Sequence, residues 1–453
     1  MRRARPYALL FLALTVIYHS NLRPIAAGDS LPAALIPFCV ALDHSITLDR
    51  FGPWLHDHAI LAFGIARYPH RHWYSRYPIA GPLLVSPLYM PAAVIPAVRR
   101  LPPESLIALA RIVEKFTAVA LTAASAVWML ALLGRLALMR WAWVLTWVFA
   151  LCTATWSTSS QALWQHTFGA VAIIGCGYFL VRWEAEHGLR RWAWWCGAAA
   201  AAGLMIRPTN ATLLLALAAA LWQRRAHGMD YVRMLAPATV AAVLVAAYNF
   251  QTLGRFIGGY PTPLNGSALN GLAGILFSPG RGLLIYTPIA LFALAAFLPA
   301  ARENRARHSG LVTACVVFAA AQIAVVSKWP YWWGGYSWGP RLLTEILPSV
   351  MVLIAVGLPA IRGATRYAFA VVAMYCLFIQ VLGVYYYPKG HWDNLPVSVD
   401  HDPRRLWDWR DNPIARTLHG GPAWEPYAIV ETAWKEGLPA AGKRLRAYGI
   451  SAY

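Results

Sequence analysis

A single carboxylate stands directly after the first apolar segment of the chain, in the string Gly28-Asp29-Ser30. An ionised side chain at the end of such a segment is costly unless it has a role, and a carboxylate there can take a proton from a hydroxyl group. Asp and Ser are also good N-caps, and a helix is expected to begin near Leu31. Asp29 is therefore a candidate general base, with helix capping as the alternative.

Three arginines lie in loops between apolar segments and are candidates for binding a phosphate, because a guanidinium donates several hydrogen bonds to phosphate oxygens. They are Arg76 in a Tyr-Ser-Arg-Tyr-Pro string, Arg281 between two glycines, and Arg341 after a Gly-Pro pair. Glycines beside an arginine let a bulky anion approach the backbone. For Arg76 and Arg341 the alternative is an interfacial arginine whose side chain reaches towards lipid headgroups.

Aromatic and amide side chains are concentrated in the same loops. An aromatic face can stack on a sugar ring, and amide and imidazole groups can orient the hydroxyl groups of the sugar. The alternative for the aromatic residues is a belt at the membrane interface. The candidate residues for binding a sugar or an acceptor are Tyr77, Trp164, Gln165, His166, Trp332, Trp333 and Tyr336.

Histidines occur in two short strings, His56-Asp57-His58 and His70-Arg71-His72. Histidines at this spacing can bind a metal ion. The alternative is that they lie in a solvated loop and bind none. The six cysteines lie in apolar segments and form no CxxC pair, so they indicate neither zinc ligands nor disulfides. We predict no metal site and no resident cofactor, and a divalent cation stays open as an alternative.

The composition indicates which elements must position these residues. Of 453 residues, 59% are hydrophobic and 13% are charged, and the mean hydropathy is +0.47. Soluble domains are about 25% charged, so the chain is predicted to be an all-α polytopic membrane protein. The net charge of +20 then indicates basic cytoplasmic loops and not a nucleic-acid partner.

Apolar segments and basic joints together predict about eleven spans. Sixteen arginines against four acidic residues fall in the joints assigned to the inside, which places the N-terminus in the cytoplasm and the C-terminus outside. The alternative for the N-terminal segment is a signal peptide that is cleaved, in place of a retained first span. The predicted spans are residues 7–18, 105–134, 141–157, 167–183, 192–206, 210–223, 232–252, 283–300, 310–327, 343–360 and 367–387.

Two of these spans are too short to cross a membrane alone, and the string Arg207-Pro208-Thr209-Asn210 joins them. A polar tip at that depth is tolerated only where it lines a cavity. The outer loop 29–104 is predicted to hold two helices on the membrane surface, at 31–42 and 79–98, with a broken span as the alternative for the second. Residues 1–388 form the membrane region, and 389–453 form a short outer segment.

Taken in order, these strings resemble the GT-C superfamily of integral membrane glycosyltransferases over about residues 7–388. The resemblance rests on Gly28-Asp29, Tyr77-Pro78, the Gln161–His166 string, Arg207-Pro208-Thr209, the Ser278–Gly282 string, Trp332-Trp333-Gly334-Gly335 and Gly339-Pro340-Arg341. Relatives include aminoarabinose, mannosyl and arabinosyl transferases. Many carry a second carboxylate beside the first, which this chain lacks, so a tightly held divalent metal is in doubt.

The resemblance implies a GT-C fold and transfer of a sugar from a polyprenyl-phosphate donor to a glycan, lipid or protein acceptor, at the outer face of a bacterial inner membrane. Asp29 would be the catalytic base. Arg341, Arg281 and Arg76 would bind the donor phosphate. A lipid-linked sugar flippase and a polysaccharide ligase or polymerase are the alternative functions. The sugar, the acceptor and the oligomeric state stay open.

Overall fold

The chain folds almost entirely into helices, and the computed structural model describes residues 5–23, 27–58, 64–68, 72–186, 188–259, 264–387 and 392–451. The first ten α-helices are α1 (Arg5–His19), α2 (Leu31–Asp43), α3 (Gly52–Asp57), α4 (Ala80–Ala93), α5 (Pro96–Arg99), α6 (Pro103–Leu133), α7 (Met139–Leu151), α8 (Gln165–Ala185), α9 (Arg190–Ile206) and α10 (Thr212–Gln223). The next ten are α11 (Gly228–Leu253), α12 (Ala268–Phe277), α13 (Leu283–Tyr286), α14 (Arg302–Arg307), α15 (Ser309–Ser327), α16 (Leu347–Gly357), α17 (Ala364–Tyr385), α18 (Pro413–Gly420), α19 (Glu425–Lys435) and α20 (Leu438–Ser451).

Shorter elements connect these helices. One antiparallel hairpin pairs β1 (Ile65–Arg67) with β2 (Trp73–Ser75), with Ala66 opposite Tyr74. A single π-helical turn covers Thr155–Ser159. The 3₁₀ segments are Asp49–Phe51, Pro208–Ala211, Pro288–Phe297, Pro299–Ala301, Arg341–Ile346, Leu358–Ala360 and Pro403–Trp407.

Six helical segments among the described residues are long and apolar enough to cross a membrane. They are α6, α8, α11, α15, the segment Arg341–Ala360 that contains α16, and α17. Four shorter apolar helices accompany them: α2, α7, α12 and Pro288–Phe297. The predicted all-α polytopic class is confirmed, whereas the number of eleven spans stays a prediction.

One predicted span is not a continuous α-helix. Over 283–300 the chain forms the four-residue α13 and then 3₁₀ segments that begin at Pro288 and Pro299. A proline has no backbone N–H and clashes with the preceding turn, so it breaks the α-helical ladder at each of these points. The prediction also missed α12, which has only 10 residues and is too short to be recognised as a span.

The joints predicted to lie inside contact one another across the bundle. The Arg224 guanidinium lies 3.6 Å from the Glu184 carboxylate, and the same carboxylate accepts a 2.8 Å hydrogen bond from the Gly310 backbone N–H. At a further pair of joints, the Arg366 guanidinium lies 5.2 Å from the centre of the Trp141 ring. These contacts connect the joints at α8, α10 and α15 in one group and those at α7 and α17 in another.

The orientation of this end stays a prediction that reporter fusions test. A reporter fused after Tyr387 is expected to be active only on the outer side, because the opposite end carries the excess of arginine. A fusion after Arg225 is the matched control and is expected to report from the cytoplasm. A cytoplasmic signal from the first fusion would contradict the predicted topology.

The two helices predicted for the outer loop pack against each other. Phe38 of α2 meets Tyr89 of α4 edge to face, with ring centres 5.1 Å apart, inside a separate apolar cluster. The opposite face of α4 exposes Leu84 and Leu88. Since α4 has 14 residues, it rises about 21 Å, less than the roughly 30 Å core of a bilayer. This length favours a surface helix over a broken span.

Candidate active site

Asp29 lies in the turn before α2, and its carboxylate is held by two distant side chains. The Tyr77 hydroxyl donates a 2.6 Å hydrogen bond to Oδ1, and Arg341 Nη2 donates a 2.8 Å hydrogen bond to Oδ2. The residue at the N-cap of α2 is Ser30, and no side chain caps that helix. The capping alternative for Asp29 is therefore wrong, and its carboxylate belongs to a polar cluster.

Arg341 is positioned by two further contacts at the start of its 3₁₀ turn. Its Nη2 also donates a 2.6 Å hydrogen bond to the Gly334 carbonyl, and its guanidinium lies 4.4 Å from the centre of the Trp164 ring. Gly334 has a φ of +73°, in the left-handed region where an L side chain is strained. The glycine therefore lets its carbonyl reach Arg341, which is itself buried.

Asp29, Tyr77 and Arg341 lie at the polar end of a cavity of about 550 Å³. Its other polar lining residues are Trp164, Gln165, His166, Arg207 and Thr209, and its apolar lining consists of Pro208, Ile257, Leu264, Val325, Val326, Trp329 and Leu342. Ile257 and Leu264 are 85% and 56% exposed, so the apolar part opens to the outside of the bundle. The prediction that the polar tip between α9 and α10 lines a cavity is confirmed.

A second set of charges lies behind the cavity wall and is centred on Glu345, which is fully buried. Glu345 pairs with Arg207, accepts a 2.9 Å hydrogen bond from Asn210 Nδ2, and has His166 Nδ1 at 3.4 Å. A side chain at Gly169 would bring Cβ within 2.4 Å of the Glu345 carboxylate. The buried carboxylate thus holds Arg207 and His166 in place at the cavity wall.

Three buried polar atoms on lining residues have no hydrogen-bond partner within the described part of the chain. They are Arg341 Nε, Trp164 Nε1 and Thr209 Oγ1. Buried polar groups are nearly always hydrogen-bonded, so three orphans around one cavity need an explanation. These atoms have almost no accessible surface, so they lie within the packed wall and not on the open face of the cavity.

Two of the arginines predicted to bind phosphate do not line this cavity. The Arg281 guanidinium is fully buried, donates to the Gly335 carbonyl at 3.1 Å and pairs with Asp393. Arg281 is therefore a structural residue, and its prediction as a phosphate ligand is corrected. Arg76 is held through its backbone, where its carbonyl accepts a 3.1 Å hydrogen bond from the Gly259 N–H, and it does not line the cavity either.

The Arg281–Asp393 pair leads to a prediction on stability. Asp393→Ala should lower the free energy of unfolding by about 3–5 kcal/mol, because it leaves a buried guanidinium without its counter-charge. Thermal unfolding in detergent measures the loss. Glu431→Ala removes an acid that is exposed and whose lysine partner, Lys435, is exposed as well, so this control should change little. Equal melting temperatures for the two variants would contradict the structural role of Asp393.

The tryptophan-rich loop does not form a sugar platform, which corrects the prediction for its three aromatics. The Trp332 ring packs so closely on α12 that a Cβ at Gly274 would lie 2.3 Å from it. Trp333 Nε1 donates a 2.7 Å hydrogen bond to Asp400, and the Tyr336 hydroxyl lies 2.7 Å from the Ser398 hydroxyl. These contacts attach the loop to the C-terminal segment. Trp329, in the same string, is the aromatic residue that lines the cavity.

A buried ion pair in α6 was not recognised from the sequence, although charges within an apolar helix are a signal for it. Arg111 donates to Glu114 at 2.8 Å, to the Ala27 carbonyl at 2.8 Å and to the Ser30 hydroxyl at 3.1 Å. Glu114 in turn accepts a 3.0 Å hydrogen bond from the Leu163 N–H. The pair therefore fixes both the turn that carries Asp29 and the string that carries Trp164.

His72 of the outer loop has a structural partner, Asp49. Asp49 accepts a 2.8 Å hydrogen bond from the Trp73 N–H and has His72 Nδ1 at 2.6 Å. Burial raises the pKa of Asp49, but these hydrogen bonds outweigh that effect and hold the pKa below its ordinary value. No group of three or more His, Cys, Asp or Glu side chains within the described ranges is arranged to hold a metal ion. His70 and Arg71 lie outside the described residues.

Comparison with known proteins gives distant structural likeness and no match in sequence. No protein-family model matches the chain. No curated protein matches it either. The crystal structure of ArnT from Cupriavidus metallidurans bound to undecaprenyl phosphate is similar to it, with a TM-score of 0.48 and 13% sequence identity, over 99% of this chain and 75% of that chain. The contacts within this chain must therefore carry any assignment of function.

Proposed function

We propose that the chain is a GT-C type glycosyltransferase that moves a sugar from a polyprenyl-phosphate donor to an acceptor hydroxyl at the outer face of the membrane. The observation that supports this function is the Asp29–Arg341 pair at the polar end of an apolar cavity. A carboxylate, two arginines and an apolar slot match an acceptor hydroxyl, a phosphate and a polyprenyl chain.

In this reaction the acceptor hydroxyl gives its proton to Asp29 and its oxygen attacks the anomeric carbon of the sugar. The bond between that carbon and the phosphate oxygen breaks, and polyprenyl phosphate leaves with the electron pair. Attack opposite the leaving group inverts the anomeric centre. Arg341 and Arg207, both on the cavity wall, are the cations that stabilise the departing phosphate.

The contacts of Asp29 assign different tasks to its two oxygens. Oδ1 accepts from the Tyr77 hydroxyl, which orients the carboxylate, and Oδ2 is held by Arg341. A donor phosphate competes with Oδ2 for the Arg341 guanidinium, whose Nε is still without an acceptor in the described residues. Binding of the donor therefore releases Oδ2 to take the proton from the acceptor, which couples the two substrates.

Mass spectrometry of lipid-linked sugars and envelope glycans in a deletion strain tests this function. The strain is expected to accumulate one polyprenyl-phosphate sugar and to lack the same sugar on one envelope acceptor. Complementation with the intact gene should reverse both changes, and the Asp29→Asn gene should reverse neither. Unchanged lipid-linked sugars together with unchanged glycans would contradict the proposal.

The Arg111–Glu114 pair gives a prediction on this activity. Arg111→Ala should lower kcat by about 100-fold, because a small displacement of the Asp29 turn misplaces the base, while KM for the donor changes little. Arg111→Lys should recover part of kcat. Arg233 forms a similar pair with Asp230 three residues away at the other end of the bundle, so Arg233→Ala is the matched control. Equal losses of kcat in the two alanine variants would show that Arg111 contributes only to general stability and does not position Asp29.

A further inference from the structure

The bilayer surface at the N-terminal end of α6 can be located from the charges on that helix. With 31 residues α6 rises about 46 Å, whereas the hydrocarbon core of a bilayer is about 30 Å thick. Its last 18 residues, 116–133, contain no charged side chain. The preceding residues 103–115 contain four, which are Glu104, Arg111, Glu114 and Lys115. The membrane core therefore begins near Phe116, and the first turns of α6 project beyond it.

The helix α1 ends at the same level. It packs against α6, and the ring of its last residue, His19, has its centre 4.5 Å from the centre of the Phe116 ring. On its other side α1 exposes Leu12 and Val16, as a helix in contact with lipid does. His19 and the following Ser20 therefore mark the surface of the bilayer beside α6.

The C-terminal helices α19 and α20 pack on the part of α6 that projects beyond this level. Ile429 of α19 and Leu445 of α20 form one buried apolar cluster with Ala108. The approach of α20 is close, because a Cβ at Gly442 would lie 3.4 Å from the Glu104 carbonyl oxygen. The two helices are thus held directly above the bilayer surface.

The beginning of α19 rests on the ends of two other helices. The Tyr427 hydroxyl donates a 2.5 Å hydrogen bond to the Ser20 carbonyl, just after α1. The Ala423 N–H donates a 2.8 Å hydrogen bond to the carbonyl of Tyr385, the last residue of α17. The side of α19 that carries Tyr427 is therefore turned towards the ends of α1 and α17 and towards the lipid around them.

Two exposed tryptophans lie on this side of α19. Trp434 follows Tyr427 by seven residues, which is about two turns, so the two side chains leave the helix within about 20° of each other. Trp434 is 90% exposed and Trp424 is 62% exposed, and the Trp424 ring lies 5.8 Å from the Tyr427 ring. Trp and Tyr are enriched where a bilayer meets water, because their rings combine an apolar body with a polar group.

We propose that α19 lies on the bilayer surface with Trp424, Tyr427 and Trp434 inserted among the lipid headgroups. The lipid surface is the partner that fits, because this aromatic side continues through Ser20 into the lipid-facing side of α1. Glu431 and Lys435 accompany the aromatic residues and form a 2.6 Å ion pair, which the polar headgroup region accommodates. The C-terminal segment is then bound to the membrane and does not extend freely into the water.

A fluorescent label at position 434 tests this surface in nanodiscs. The six native cysteines are buried, so Trp434→Cys supplies one accessible thiol for an environment-sensitive fluorophore. Its emission is expected to shift to shorter wavelength, to be quenched by lipids brominated near the headgroup and to be shielded from iodide in the water. Val16→Cys, on the lipid-facing side of α1, provides the reference for contact with lipid.

Glu425→Cys is the matched control, because Glu425 is exposed and precedes Trp434 by nine residues, which places it on the opposite side of α19. A label there should be quenched by iodide and not by brominated lipid. Equal quenching of the two labels by iodide, with no quenching by lipid, would overturn the proposal. Shielding of position 434 from iodide without quenching by lipid would also overturn it, because a protein surface such as a second copy of the chain would then cover this side.

Hydrogen exchange provides a test that needs no label. In nanodiscs, Trp434→Glu should make the backbone amides of α19 exchange about tenfold faster, the change expected when roughly 60 Å² of apolar surface leaves the lipid. Trp434→Phe should exchange nearly as the unchanged protein does, and so should the control Glu425→Gln. Since Trp434 is 90% exposed within the protein, a lost protein contact cannot cause this effect. Unchanged exchange in Trp434→Glu would contradict the insertion of this side into the bilayer.

Discussion

Asp29→Asn is expected to lower sugar transfer by about 100- to 10,000-fold while the protein stays folded, which is the range for removal of a general base. Asparagine keeps the size of the side chain, and its carbonyl can still accept the hydrogen bond from Tyr77. It removes the negative charge that pairs with Arg341 and the oxygen that takes the proton. Transfer from a polyprenyl-phosphate sugar in nanodiscs measures the loss, with melting temperature and donor binding recorded alongside.

Tyr77→Phe is the matched control for this variant, because it removes the 2.6 Å hydrogen bond to Oδ1 but leaves the carboxylate in place. Its loss of transfer should be much smaller, since the base is only less well oriented. Donor binding by Asp29→Asn should be kept or tightened, because Arg341 is released for the phosphate. A folded Asp29→Asn variant with near-normal transfer would remove Asp29 from the mechanism.

Arg341→Ala is expected to lower kcat/KM by about 100- to 1,000-fold, and Arg341→Lys by clearly less, if the arginine stabilises the departing phosphate. The alanine variant loses the charge together with the contacts to Asp29, Gly334 and Trp164. A lysine keeps the charge but cannot reproduce the planar guanidinium geometry, so the loss is partial. Steady-state kinetics over a range of donor concentrations separates the effects on kcat and KM.

Arg362→Ala is the control for general loss of an arginine, because Arg362 is exposed in a joint at the other end of the bundle. Its kinetics should match those of the unchanged protein. Protein levels in the membrane should be similar for all three variants. Equal, small losses from Arg341→Ala and Arg341→Lys would indicate an interfacial arginine and would leave Arg207 as the cation for the phosphate.

Local features of this protein could be predicted from the sequence because a membrane restricts them strongly. A spanning segment must satisfy its backbone hydrogen bonds internally and must be about 20 apolar residues long, so hydropathy indicated α6, α8, α11, α15 and α17 closely. The polar tip between α9 and α10 was predicted to line a cavity for the same reason, because no other surroundings tolerate it at that depth.

The choice among similar residues depended on the tertiary structure. Arg281 follows a glycine and Arg341 follows a Gly-Pro pair, yet Arg281 is neutralised by Asp393, 112 positions away, whereas Arg341 meets Asp29, 312 positions away. Nothing in either local string specifies these partners. Trp329 and Trp332 likewise stand three positions apart, and only the packing of α12 against the loop places one ring in the core and leaves the other at the cavity.

By itself the sequence determined a polytopic helical protein with an acid after its first span, because hydropathy and charge act locally along the chain. The tertiary structure decided which arginine pairs with Asp29 and which carboxylates are already neutralised. The physical reason is that a buried charge is stable only beside its counter-charge, and that partner is supplied by the packing of distant helices. The proposed active site is therefore a property of the assembled bundle, in which Arg111 holds the turn that carries Asp29 and Glu345 holds Arg207.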